Sequence, residues 1–99
     1  MVRLNWTIQA IDDLKDIAEY IAKDSQRYAS LLVKRIRDKA KLLKTQPDSG
    51  RMVDEFERQD IRELIEGNYR IIYMRINDSQ IDILTVYHSA RRLIPPLFK

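Results

Sequence analysis

Residues 61–92 constrain the fold of this chain more than any other segment. They contain three apolar runs rich in Ile, Val, Tyr and Thr, the residue types that fit a pleated sheet best. The runs are separated by Gly67-Asn68, which tolerate positive φ as a two-residue hairpin requires, and by the turn-forming Asn77-Asp78-Ser79. We therefore predict a meander of three antiparallel strands at residues 61–65, 69–76 and 81–88.

The second of these runs has apolar side chains on both faces, which is typical of a central strand. Strict alternation places Tyr73 on one face and Arg70 on the other. A guanidinium stays charged and is costly to bury without a partner. We therefore expect Arg70 either to pair with a carboxylate, for which Glu63 is the specific candidate, or to lie on an open face.

The first 45 residues predict one short strand and two helices. Apolar and polar residues alternate up to Trp6, which we expect to anchor the strand in the core. Thr7 and Ser25 are suited to cap the helices that follow, and each helix carries an apolar stripe at helical spacing. The second helix is expected to extend to about residue 45 and to pair with the first as an αα-hairpin.

The second predicted helix also carries a basic stripe beside its apolar one. This stripe consists of Arg27, Lys34, Arg37, Lys41 and Lys44. Two interpretations stay open for it: a solvated flank that aids solubility, or a surface for a nucleic acid or an acidic protein.

Residues 47–60 connect the helices to the meander. Pro47-Asp48-Ser49-Gly50 ends the second helix in a turn, and residues 51–60 are expected to form a surface loop with some strand at its start. The helices thus precede the sheet, apart from the first strand. This order predicts a single α+β domain over residues 1–99, in which an antiparallel sheet carries the helical hairpin on one face.

The composition excludes several classes of site. The chain has no cysteine, which rules out disulfides, thiolate metal sites and a cysteine nucleophile and agrees with a cytoplasmic location. One histidine and two glycines argue against a transition-metal site and a glycine-rich phosphate loop, so we expect neither a metal nor a cofactor. No apolar run is long enough for a membrane span. A net charge of +3 favours an acidic protein or a nucleic acid as a partner.

The chemistry that remains is metal-free cleavage of RNA, which needs a base, an acid and a cationic cradle for the phosphorane. His88 suits the proton transfers. Arg70, Arg62 and Arg91 suit the cradle if they converge with His88 on one face of the sheet. The plainer interpretation makes His88 a hydrogen-bonded residue at a strand end, and the tyrosines of the meander packing residues rather than platforms for an RNA base.

The amino-acid sequences of several motifs resemble those of a known family. The meander contains Arg-Glu-Leu at 62–64, Asn-Tyr-Arg-Ile-Ile-Tyr at 68–73 and Ile-Leu-Thr-Val-Tyr-His-Ser-Ala-Arg at 83–91. Upstream of it lie Trp6, Ala10, Asp13-Leu14, Ile17, Tyr20-Ile21-Ala22 and Pro47-x-x-Gly50-Arg51. In this order and spacing the motifs resemble the RelE/ParE superfamily of bacterial toxins, and they are closer to the ParE branch. The resemblance covers nearly the whole chain.

Resemblance to the ParE branch implies a toxin of a type II toxin–antitoxin module, of the plasmid-stabilising kind, that inhibits growth through DNA gyrase without being an enzyme. The implied partners are gyrase and a small acidic antitoxin that neutralises the toxin, either in a hetero-oligomer or with the toxin as a homodimer. Arg62, Arg70 and His88 would then have structural or binding roles. The residues expected to contact the target or the antitoxin are Arg91, Arg92, Tyr73, Tyr87, Leu97 and Phe98.

The RelE branch implies a different activity, the cleavage of mRNA on the ribosome. Its catalytic residues here would be Arg70, His88 and Arg62. One departure weighs against it, because Glu63 and Glu66 lie on the strand where such ribonucleases usually bring basic residues.

The tail is a second departure, since residues 93–99 read Leu-Ile-Pro-Pro-Leu-Phe-Lys where those enzymes usually place a functional tyrosine or a further basic residue.

A third hypothesis for the function is a relative of these toxins that has lost toxicity and only binds a partner. The apolar tail with Pro95-Pro96 is expected either to fold back on the body or to wait for a partner.

Overall fold

The computed structural model of the chain describes residues 1–89. Two helices lie between one N-terminal strand and four later strands. The elements are β1 (Arg3–Trp6), α1 (Ile8–Ala22), α2 (Gln26–Lys41), a single 3-10 turn (Leu42–Lys44), β2 (Arg51–Met52), β3 (Ile61–Glu66), β4 (Tyr69–Asn77) and β5 (Gln80–His88). The α+β class, the helical hairpin and the three-strand meander are confirmed, with strand ends that differ by one residue from the prediction.

All five strands form one sheet in the order β1-β5-β4-β3-β2. The meander provides the antiparallel centre, with β4 between β3 and β5. The expectation of a wholly antiparallel sheet is wrong at one edge, because β1 pairs with β5 in parallel. The helical hairpin and the first part of the meander carry the chain between these two strands, as a parallel pair requires a long crossover.

Local signals in the sequence place the element boundaries. Thr7 Oγ1 accepts a hydrogen bond from the Ala10 amide at 3.1 Å, and Ser25 Oγ accepts one from the Tyr28 amide at 3.1 Å, so both predicted caps are confirmed. The β3–β4 hairpin turns at Gly67, whose φ is +58°, a value that glycine adopts without steric cost. Asn68 does not take positive φ in this turn.

The sheet is covered on both faces. On one face, α1 and α2 pack over a helix-side core, which includes Leu14, Ile36, Ile71, Tyr73 and Ile83. On the other face, the loop of residues 53–60 covers an outer cluster, which comprises Val53, Ile61, Ile72 and Leu84 with Phe56, Met74 and Tyr87 at its margin. Apolar residues on both faces of β4 are therefore explained by its central position.

Within residues 1–89, no helix is both long enough and apolar enough to cross a membrane.

Candidate partner-binding site

Arg70 is held by two glutamates on the outer face of the sheet. Its Nε donates to Glu63 Oε1 at 2.5 Å, and its two Nη atoms donate to Glu55 at 2.9 and 3.0 Å. The side chains of Arg70 and Glu63 are 10% and 3% exposed, respectively. The pair with Glu63 confirms the partner suggested by the sequence. Glu55 was not predicted, because the polar composition of residues 51–60 gave no sign of which carboxylate would turn inward.

This cluster leaves Arg70 poorly placed to bind a phosphate. The hydrogen bonds with Glu55 raise the pKa of Arg70, the bonds with Glu63 raise it further, and burial opposes both. Nε and both Nη atoms already donate to carboxylates, and the two negative charges repel an approaching phosphate. Arg51 adds a further bond to Glu63 Oε2 at 2.8 Å. The arrangement ties β2, β3, β4 and the loop of residues 53–60 together.

Tyr73 and Arg62 brace the turn that follows α2. The Gly50 amide donates to Tyr73 Oη at 3.0 Å, Tyr73 Oη donates to the Pro47 carbonyl at 3.2 Å, and Arg62 Nη1 donates to the Gly50 carbonyl at 3.1 Å. Tyr73 has no exposed surface. Its assignment as a residue that contacts the target or the antitoxin is therefore wrong, because its ring fills the core and its hydroxyl is used inside the protein.

The predicted catalytic residues do not converge. Arg70 pairs across the sheet with Tyr87, whereas His88 pairs with Tyr69, so Arg70 and His88 lie on opposite faces. Strict alternation would have placed them on the same face. A register shift between Ile72/Tyr73 on β4 leaves one extra residue on β5, and this β-bulge turns His88 toward the helices.

Arg62 shares the helix face with His88 but is distant from it. Arg62 pairs with Tyr73 and His88 pairs with Tyr69, so they are separated by four residues along β4 and by two strand spacings. These offsets correspond to roughly 16 Å between the two Cα atoms. The convergence of Arg70, Arg62 and His88 that RNA cleavage requires is thus contradicted. Arg91 lies outside the described residues.

His88 instead lines an open cleft between α1 and the adjoining ends of β4 and β5, here called the α1–β5 cleft. Its volume is about 650 Å³, and among residues 1–89 it is lined by Asp13, Asp16, Ile17, Tyr20, Tyr69, Val86, Tyr87 and His88. The rings of Tyr69 and His88 meet edge to face, with centroids 5.4 Å apart. Tyr20 is 70% exposed at the rim. The cleft thus offers aromatic surface and carboxylates, a combination suited to binding a segment with apolar and basic side chains.

Asp13 holds one wall of this cleft in place. Its Oδ2 accepts hydrogen bonds from Thr85 Oγ1 and from the Val86 amide, the latter at 3.2 Å, near the bulge in β5. Thr7 Oγ1 similarly donates to the Ile83 and Leu84 carbonyls at 2.8 and 3.1 Å. Backbone groups near the bulge are therefore bonded by the N-cap side chain of α1 and by a side chain in its second turn, and the helix is fixed against β5.

One pattern in the sequence is typical of a shared helix face at the cleft. Asp13, Ile17 and Tyr20 have i, i+4, i+7 spacing and therefore share one face of α1. Of the residues predicted to contact a partner, Tyr87 lines the cleft. Arg91, Arg92, Leu97 and Phe98 lie outside the described residues.

No group of three or more His, Asp or Glu side chains within residues 1–89 is arranged to hold a metal ion.

Known proteins resemble this chain over most of its length. The sequence-family model of the ParE toxin of type II parDE toxin–antitoxin systems matches residues 4–93. Toxin RelE2 of Caulobacter vibrioides is 29% identical over 91 residues, which are 92% of this chain and 99% of that protein. A solved structure of a chromosomal ParDE toxin–antitoxin system from P. aeruginosa superposes with a TM-score of 0.71 at 26% identity, over 89% of this chain and 96% of that one. The chain belongs to the ParE toxin family of type II toxin–antitoxin systems.

Proposed function

We propose that this toxin arrests growth by binding DNA gyrase rather than by cleaving RNA, and that a small acidic antitoxin neutralises it. The observation that carries the proposal is the separation of Arg70 from His88. Arg70 is bonded to Glu55 and Glu63 on one face of the sheet, and His88 lies on the other face.

RNA cleavage requires an acid, a base and a cationic cradle around one phosphate. Among the described residues, the arginine and histidine candidates for these roles occupy two faces of the sheet or lie roughly 16 Å apart on one face. A binding toxin needs no such convergence. It needs an accessible surface, and the α1–β5 cleft with its exposed rim residue Tyr20 supplies one.

The exposed side of α2 suits an acidic antitoxin. Arg27, Lys34, Arg37 and Lys41 are exposed there, and Asp38 forms ion pairs with Lys34 and Lys41 at 2.6 and 3.7 Å. The apolar side chains of Tyr28 and Leu31 are also exposed on this helix. Positive charge beside exposed apolar surface is complementary to an acidic amphipathic segment.

We assign target or antitoxin contact to Tyr87 at the cleft and to the tail residues Arg91, Arg92, Leu97 and Phe98. The assignment of the tail rests on its sequence, which combines two adjacent cations with apolar side chains. Both partners would be met in the cytoplasm.

The test is induced expression in a bacterial host that carries no antitoxin, combined with a supercoiling assay on the purified protein. We expect a DNA-damage response and filamentous cells with continuing translation, and inhibition of gyrase supercoiling in vitro. Unaffected supercoiling at protein concentrations that arrest cells would refute the gyrase target.

The second candidate is a ribosome-dependent endoribonuclease, which the name of the relative RelE2 favours. Under that alternative, translation stops rapidly and mRNA is cut at codons. A third outcome, no effect on growth, would assign the protein to binding without toxicity.

A further inference from the structure

We propose that the exposed side of α2 binds the phosphate backbone of duplex DNA without regard to base sequence. The surface is the basic stripe, which consists of Arg27, Lys34, Arg37, Lys41 and Lys44. This inference rests on the proposed function for its biological setting, because gyrase acts on duplex DNA and the same helix is assigned to the acidic antitoxin. DNA along α2 would hold the toxin near its proposed target, and an antitoxin on α2 would displace it.

Charge is distributed unevenly between α2 and the rest of the described molecule. Residues 26–44 contain seven lysines and arginines but a single carboxylate side chain, that of Asp38. The other residues of the range 1–89 contain eight lysines and arginines and fourteen carboxylates. A flank that serves only solubility does not require cations to be collected on one element, because charge anywhere on the surface has that effect. This segregation creates a positive potential along α2, which attracts a polyanion.

The basic stripe forms one continuous surface. At about 100° per residue, its five cations fall within roughly 100° of the helix circumference, and they extend over about 26 Å from Arg27 to Lys44. All five residues are exposed. Lys44 continues the stripe into the 3-10 turn that follows α2. A straight polyanion can therefore meet all of the cations at once.

Most of this positive charge has no counterpart among residues 1–89. Three of the five cations form no ion pair there, and the other two, Lys34 and Lys41, share the carboxylate of Asp38 at 2.6 and 3.7 Å. From Lys34 to Lys44 the cations of the stripe follow at spacings of three or four residues, which place like charges side by side and lower the stability of the helix. A bound polyanion compensates this repulsion, whereas salt only screens it.

The shape and composition of α2 favour a duplex as the polyanion. A 26 Å length of B-form duplex is straight and carries roughly 15 phosphates. Single strands are bound largely by stacking of their bases on aromatic rings, and residues 26–44 contain one aromatic side chain, that of Tyr28. An extended acidic polypeptide has one charge per about 3.3 Å, roughly half the linear charge density of the duplex, so binding it releases fewer counterions.

The test is a titration of a fluorescent DNA duplex of about 20 base pairs with the purified full-length protein, followed by fluorescence anisotropy at several salt concentrations. Five phosphate contacts predict that the logarithm of the binding constant falls with the logarithm of the salt concentration at a slope of about −4.5. A duplex of unrelated sequence should bind equally well. A salt-independent affinity, or a strong preference for one sequence, would contradict the proposal.

Arg37→Gln with Lys44→Gln removes two cations of the stripe. This pair should weaken DNA binding about tenfold or more and reduce the magnitude of the salt slope by about 1.8. The matched control is Arg3→Gln with Arg58→Gln, which removes the same net charge from exposed residues on the outer side of the sheet and should have little effect. Equal losses in both pairs would mean that net charge alone acts, and no loss in either would mean that α2 is not the surface. Both results would overturn the proposal.

Asp38→Asn tests the stripe in the opposite direction. The change releases Lys34 and Lys41 from their shared carboxylate, so DNA binding should strengthen about threefold. Asp12→Asn makes the same change of charge at an exposed position on α1 and should have little effect. Unchanged binding in Asp38→Asn, or an equal gain in both variants, would contradict the assignment of the stripe.

Competition identifies the polyanion. Unlabelled duplex DNA should displace the labelled duplex at a concentration of negative charge about tenfold lower than poly-L-glutamate needs. Equal displacement by polyglutamate would assign the stripe to acidic polypeptides, and stronger displacement by duplex RNA would assign it to RNA. Either result would overturn the proposal. These measurements involve neither gyrase nor growth, so their failure is distinguishable from failure of the proposed function.

Discussion

Arg70 and His88 lie on neighbouring strands of the sheet but on opposite faces of it. Arg70 pairs with Tyr87 and is bonded to two glutamates, while His88 pairs with Tyr69 and faces α1. One bulge in β5 produces this separation. A single extra residue thus decides that the two side chains best suited to RNA cleavage cannot act on one phosphate.

Replacement of Arg70 is expected to lower the stability of the fold rather than to abolish a catalytic reaction. Arg70→Ala leaves Glu63 and Glu55 without their shared cation in a largely buried position, and breaking such a cluster costs about 3–5 kcal/mol of unfolding free energy. Urea unfolding followed by circular dichroism measures the loss.

Two controls separate structure from function at this position. Arg58→Ala removes an exposed pair with Asp60 and should change stability by no more than about 1 kcal/mol. The triple variant Arg70→Met, Glu55→Gln, Glu63→Gln should recover part of the loss, because no unpaired charge remains buried in the cluster. Arg51 loses its ion pair with Glu63 but is 71% exposed to solvent. A folded Arg70→Ala protein of unchanged stability that loses toxicity would contradict the structural role.

Tyr73→Phe is expected to destabilise the protein through lost hydrogen bonds in the core. The hydroxyl accepts from the Gly50 amide and donates to the Pro47 carbonyl, and leaving such buried groups unpaired costs about 1–3 kcal/mol. Thermal unfolding at neutral pH measures the effect. Tyr28→Phe, on the surface of α2, is the control and should leave the midpoint unchanged.

Tyr73 should also make stability depend on alkaline pH. Burial raises the pKa of Tyr73 above its ordinary value of 10.0. The folded protein therefore retains the phenol proton more tightly than the unfolded chain, so the contribution is complete below pH 10 and is lost as pH rises through the folded pKa. The decline in unfolding free energy above pH 10 should be shallower in Tyr73→Phe than in the parent. Parallel curves would contradict the role of Tyr73.

The two glycines are predicted to respond to alanine for different reasons. A Cβ on Gly50 would overlap Tyr73 Oη and lie 2.7 Å from the Glu63 carbonyl oxygen, so Gly50→Ala should cost about 1–3 kcal/mol through overpacking. A Cβ on Gly67 meets nothing within 4 Å, and only its φ of +58° opposes the change, at about 1 kcal/mol. Guanidinium unfolding measures the unfolding free energy of both variants. A larger loss of unfolding free energy in Gly67→Ala than in Gly50→Ala would contradict the prediction.

Asp13 is expected to couple α1 to β5. Asp13→Ala removes the acceptor for Thr85 Oγ1 and the Val86 amide, and should cost about 1–3 kcal/mol. Hydrogen exchange should show faster exchange of the Val86 amide. Asp12→Ala changes an exposed neighbour and is the control. If Thr85→Val in the Asp13→Ala background adds its full single-variant cost, the two residues are not coupled.

Local features of the sequence were sufficient for the element boundaries and for part of the ion cluster. The hydroxyl caps at Thr7 and Ser25, the Gly67 turn and the period-2 runs act through neighbours within a few residues, so they can be interpreted without the fold. Arg70 was expected to need a carboxylate because a buried cation requires one, and Glu63 on the adjacent strand was identified on that basis.

Other features depended on the assembled molecule. The parallel pairing of β1 with β5 joins residues about 77 positions apart, and Glu55 reaches Arg70 only because the loop of residues 53–60 folds over the outer cluster. Neither contact leaves a periodic trace in the sequence.

Propensity, capping and charge burial are local or pairwise effects. They are therefore enough to predict the class of fold, the helical hairpin, the meander and the need of Arg70 for a carboxylate. Which side chains share a face of the sheet depends instead on contacts between residues far apart in the chain. Near the bulge in β5, Thr7 donates a hydrogen bond to the Leu84 carbonyl, and Asp13 accepts bonds from Thr85 and the Val86 amide. Both residues lie more than 70 positions earlier in the chain, and the bulge inverts the side-chain alternation beyond it. Alternation along β5 alone would therefore place His88 on the face of Arg70, whereas the bulge places it in the α1–β5 cleft.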